Sequence, residues 1–169
     1  MAEITHKAYL QLLTEIKDVI EQLTGVEKQK LDAVHAADLP AVDECIRQEQ
    51  AISLSLRSLD HRRTNMLQEL NLAKVNLSSL AEQFPAELRA EASKTAAALR
   101  SSYNDYVSIS EATRMALERG LREIDSMMQP AQASAPAQPR PTVRQEQKLG
   151  QSAPPGEDVP PHKKLDFGA

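Results

Sequence analysis

Apolar residues in the first part of the chain recur at alternating steps of three and four: Tyr9, Leu12, Ile16, Val19, Leu23 and Val26, with Leu13 and Ile20 widening the stripe. A helical turn of 3.6 residues brings such positions onto one face, so the pattern predicts a helix over 5–36 packed in a bundle. Thr5 is the expected N-cap, and Gly25 is an interior glycine costing about 1 kcal/mol relative to Ala. The stripe fades after Val34, and the run AADLPAV follows. There Asp38 is suited to cap the next helix, and Pro40 falls in its first turn, where a missing N–H costs little. So short a connection makes the two helices antiparallel neighbours.

The period resumes at Val42, Cys45, Ile52, Leu56, Leu59, Met66 and Leu70, interrupted by Glu49 and Arg63. Cys45 reads as a small core residue. The two charged residues read as side chains snorkelling at the edge of the seam, the other option being buried polar positions that set register. Because Ala73, Leu77, Leu80 and Phe84 continue the period, one helix over 39–83, about 67 Å long, also satisfies it. A hairpin partner matched in length to the first helix ends instead near Leu70, and Asn71 and Asn76 favour turns and caps. The expected elements are therefore a second helix over 39–70, a break at 71–76 and a short helix over 77–83. Pro85 then stands at the first position of a last helix over 86–128, with Glu87 and Glu91 complementing its dipole.

The seam of that last helix runs Leu88, Ala92, Ala96, Leu99, Tyr103 and Tyr106, with Val107 and Ile109 beside it, then Leu117, Leu121, Ile124 and Met128. Spanning about 43 residues, it exceeds the first helix by about 12, close to 18 Å at the helical rise. Unless the short 77–83 helix doubles back over it, part of its apolar stripe has no partner inside the chain. An uncovered amphipathic helix takes another helix through positions i, i+3, i+4 and i+7, and the methionines Met115, Met127 and Met128 would let it accept more than one sequence. The plainer alternative is that this stretch is core, or the seam of a homodimer.

Proline placement draws the boundary of this helical body. Of the 10 prolines in 169 residues, only Pro40 and Pro85 precede Pro130, which opens a segment of Gln, Ser, Ala, Pro and Gly poor in apolar side chains. Such a segment cannot bury enough surface to offset about 1–2 kcal/mol of ordering entropy per residue. The chain thus reads as all-α: an elongated, antiparallel, three-helix coiled-coil-like bundle over 1–129 with one short extra helix, and a disordered Pro-rich tail over 130–169. Late in that tail, Leu165 and Phe167 follow the basic pair Lys163-Lys164 and form a candidate docking motif.

Charge and chemistry narrow the function classes. With 20 Lys+Arg against 24 Asp+Glu the net charge is -4, which argues against a polybasic nucleic-acid surface. The longest apolar runs fall short of the ~18–20 residues of a membrane span, and MAEITHKAYL lacks the basic and apolar regions of a secretion signal, so a cytoplasmic location without membrane insertion is expected. Cys45 stands alone, which excludes an internal disulfide, and His6, His35, His61 and His162 share no ligand spacing, so no metal or cofactor is expected. His35, close to Asp32 and Asp38, reads as a solvent-facing helix end rather than a proton-transfer group. With no ExxH pair and no Gly-rich phosphate loop, an enzyme is not expected.

The run LLTEIKDVIEQLTGVEKQKLDAVHAADLPAVDECIRQEQAISLSLRSLDHRRTNMLQEL resembles the FlgN family of flagellar export chaperones. The likeness rests on a first helix rich in Leu and Glu, a turn at Ala37-Asp38, Arg62 and Arg63 near the end of the second helix, and its Met66–Leu70 close. Farther on, Asn104 takes the first place of an Asn-x-x-Asn-like motif, with Val107 at the second. Over residues 8–128 the resemblance implies a cytoplasmic chaperone for hook-filament junction proteins. It would bind their amphipathic C-terminal helix, prevent premature assembly, and deliver them to the flagellar type III export gate or its ATPase complex. The implied client surface is Tyr103, Asn104, Tyr106, Val107, Ile109, Leu117, Leu121, Ile124, Met127 and Met128. The alternative is a structural coiled-coil homodimer or scaffold without a client.

Overall fold

A computed structural model describes residues 2–129, and among them three long helices dominate: α1 (Ala2–His35), α2 (Leu39–Glu69) and α3 (Arg89–Met128). Two 3-10 turns, Leu80–Gln83 and Ala86–Leu88, stand between α2 and α3. The segment 130–169, read from sequence as a disordered tail, lies outside the described residues together with Leu165 and Phe167.

Thr5 does not cap α1, because the helix already begins at Ala2. Ala2 and Glu3 are both good helix formers. The other end closes in a Schellman motif: the Asp38 N–H donates to Ala33 O at 2.9 Å and the Ala37 N–H to Val34 O at 3.1 Å. That geometry puts Ala37 in the left-handed region at φ 54°, where a Cβ is disfavoured. Asp38 then serves the next helix as well, its Oδ1 accepting from the Ala41 N–H at 3.1 Å with Pro40 in the opening turn. One residue therefore both ends α1 and starts α2, which makes the hairpin turn as short as it is.

The same device ends α2. Leu72 N–H donates to Leu67 O at 2.8 Å and Asn71 N–H to Gln68 O at 3.0 Å, with Asn71 at φ 58°. Leu67 and Leu72 are both buried, the apolar contact that usually accompanies this cap. The short helix expected over 77–83 is only the 3-10 turn Leu80–Gln83. Before it, both the N–H and the Oγ of Ser79 bond to Asn76 O, and after it the coming proline pushes Phe84 to extended backbone at ψ 153°. Pro85 likewise is not the first residue of the last helix. It sits extended at ψ 147° ahead of the Ala86–Leu88 turn, and α3 starts at Arg89, whose Nε donates to Phe84 O at 3.1 Å.

Cross-links fix the helix directions. Arg62 pairs with Glu15 at 3.2 Å and Lys30 with Glu49 at 2.5 Å, so α1 and α2 are antiparallel. Ser102 Oγ donates to Glu21 at 3.0 Å and Thr113 Oγ1 to Glu27 O at 3.4 Å, so α3 climbs parallel to α1. Both flanking helices lie along α1, whereas α2 and α3 scarcely approach each other. The core follows: Tyr9, Leu10, Leu12, Leu13, Ile16 and Ile20 of the middle helix are all almost fully buried. Phe84 closes the bottom of the molecule, its ring edge-on to His6 at 4.8 Å and to Tyr9 at 6.3 Å.

Candidate helix-binding surface

Along α3 the inward positions Leu99, Tyr103, Tyr106, Ser110, Thr113, Leu117, Leu121, Ile124 and Met128 continue at steps of three and four on one face. The cover on that face stops partway. Thr113 is 1% exposed, Leu117 37%, Leu121 63%, Ile124 56% and Met128 69%. The step from covered to open falls within one helical turn. With α1 at 34 residues and α3 at 40, the helix lengths differ by six residues, about 9 Å, rather than the 12 expected. The open stripe is nevertheless about 16 Å long from Leu117 to Met128, because the cover ends where Glu27 meets Thr113, before α1 itself ends.

The residues named from sequence divide into three groups on this geometry. Leu117, Leu121, Ile124 and Met128 form the open stripe. Tyr103, Tyr106 and Ile109 are half-buried; the two tyrosines pack against the core cluster, so they belong to the seam between α3 and α1. Asn104, Val107 and Met127 are exposed but turned away from the middle of the stripe. Met115, 52% exposed, lies on the far side.

A buried polar layer, not foreseen from sequence, sits where the cover ends. Glu27 and Lys30 of α1 are 4% and 9% exposed, and the Lys30 ammonium reaches Glu27 at 3.0 Å and Glu49 of α2 at 2.5 Å. Among the described residues Glu27 Oε2 has no hydrogen-bond partner. Burial, then the hydrogen bond with Glu27, pushes the Glu49 carboxyl above its ordinary value, against the pull of Lys30. Burial opposes the Lys30 ammonium, but its hydrogen bonds to Glu49 and Glu27 prevail and carry it upward. Tyr106, lying over this layer from α3, is pushed up by burial and by the charge of Glu27. Glu49 is thus a half-buried link, ion-paired across the hairpin to Lys30 rather than reaching out to solvent. The spacing Leu23, Glu27, Lys30 was the available signal, since it carries the seam of α1 onward through charged residues.

Arg63, the other interruption, is also built inward: it pairs with Asp60 at 2.8 Å and hydrogen-bonds Tyr9, whose hydroxyl is pushed up by burial. Beside it a cavity of 340 Å³ opens between α1, the end of α2 and the 73–77 link, with Leu13, Leu67, Leu80 and Leu99 in its lining. Cys45 is buried, and burial raises its thiol. Among the described residues no group of three or more His, Cys, Asp or Glu is placed to hold a metal ion, and no helix is long and apolar enough to cross a membrane. What the described residues offer chemically is an open apolar stripe on α3. No family model matches the chain, and no curated protein or solved structure shows significant similarity to it.

Proposed function

We propose that this chain is a non-enzymatic, helix-binding export chaperone of the FlgN type, working in the cytoplasm. The observation that carries the reading is the continuous stripe Leu117, Leu121, Ile124 and Met128, which prolongs the core face of α3 beyond its last partner. A client's amphipathic C-terminal helix laid along it would give each of these side chains the burial it lacks, about 1.5–3 kcal/mol for a fully buried aliphatic, less the cost of ordering the client. The clients are hook-filament junction proteins, whose own helices would thereby be kept from premature assembly until handed to the flagellar type III export gate or its ATPase complex. In this reading the coiled-coil-like bundle is the frame that holds α3 straight, and the half-buried Tyr103, Tyr106 and Ile109 secure it to α1.

The test is capture from a flagellated cell. Tagged wild-type protein retains hook-filament junction proteins, while the double variant Leu121→Glu/Ile124→Glu loses them; both positions are more than half exposed, so the fold tolerates the change. Retention by the double variant overturns the surface, and failure of the wild type to retain such proteins overturns the function.

A further inference from the structure

Two features beside the stripe say what kind of helix fits it. Glu118 and Asp125 each follow a stripe residue, Leu117 and Ile124, by one position, and with Glu111 they are spaced by seven. At 100° per residue all three line one flank. Arg114 sits within this column, paired with Glu111 and Glu118, and Arg122 lies farther round, its Nε turned back to Glu118 O at 3.3 Å. The opposite flank carries the small residues Ala116 and Gly120 beside the stripe, with Glu123 farther round. Glycine in a helix interior weakens it relative to alanine, yet a methyl group added at Gly120 would meet nothing within 4 Å. Nothing among the described residues therefore requires the glycine, whereas a helix approaching on that side would gain room from it.

The acidic column also bears on who the occupant is. In an antiparallel pairing of two copies, equivalent flanks face each other, so Glu118 would meet Asp125 of the second copy and like charges would oppose association. Resting on the function proposed above, we infer that the surface selects an amphipathic helix bearing Lys or Arg on the flank that meets Glu118 and Asp125, seated closely against Ala116 and Gly120.

Two synthetic 18-residue helical peptides sharing one leucine stripe, one with Lys and the other with Glu on the same flank, test this by fluorescence anisotropy against the full chain at low salt. The Lys peptide binds about fivefold more tightly, a preference that shrinks in high salt. Glu118→Lys/Asp125→Lys reverses the preference. Gly120→Leu, with unchanged helical content by circular dichroism, weakens the Lys peptide about tenfold. Equal binding of the two peptides by the wild type overturns the inference and leaves the proposed function standing, while binding of neither overturns both. Undiminished binding by Gly120→Leu removes the small-residue flank from the surface.

Discussion

Single residues at the helix ends and in the polar layer decide more here than their exposure suggests. Ala37 holds a left-handed conformation at φ 54° that glycine adopts freely. Ala37→Gly is accordingly expected to raise stability by about 1 kcal/mol in urea denaturation, and a loss of stability would contradict the strain. The layer of Glu27, Lys30 and Glu49 carries two carboxylates for one ammonium. Since the Glu49 carboxyl is raised from its ordinary 4.5, the folded state favours its protonated form. That contribution is fully present below pH 4.5 and fades as pH climbs through the raised value. Wild-type stability should therefore fall relative to Glu49→Gln between pH 4.5 and neutrality; parallel stability curves for the two proteins would refute it. Asp38 and Pro40 announced their turn in the sequence, because capping and proline chemistry are local. The sequence marked Glu49 as an interruption of its seam but not its partners Glu27 and Lys30, because they lie on the other helix and only the hairpin brings them together.

At the scale of elements, α3 has two halves with different duties. From Ala92 to Thr113 it is sealed against α1, and beyond Thr113 it stands mostly open. Exposed side chains add little to the folded state, so removing residues 117–169 should leave the unfolding free energy from urea denaturation within about 0.5 kcal/mol of the full chain, as expected for changes away from buried contacts. A large drop would mean that the open half is covered by something else in the chain. The periodicity marked the whole stripe without showing where its cover ends. That point depends on the register between α1 and α3, which Ser102 with Glu21 and Thr113 with Glu27 set across more than eighty residues of chain. The stretch 77–83 shows the opposite failure, since its apolar spacing suited a helix but Ser79 and the coming Pro85 took the backbone elsewhere.

For the molecule as a whole, α1 is the shared partner, with α2 and α3 on its two sides and the 70–88 connection folded beneath. Phe84, 2% exposed and edge-on to His6 and Tyr9, ties that connection to the start of α1. Phe84→Ala should cost about 3–5 kcal/mol in chemical denaturation, and a cost below 1 kcal/mol would mean the connection is not part of the core. The sequence by itself determined the all-α class, the tight turn at Ala37-Asp38 and the face of each long helix that turns inward, because helical period and cap chemistry operate within a few residues. Only the tertiary structure decided that α3 runs beside α1 rather than α2, that Glu27, Lys30 and Glu49 meet, and that the apolar stripe opens at Leu117. Each of these depends on how far one helix has slid along another, a quantity set by packing between distant segments and written in no single stretch of chain.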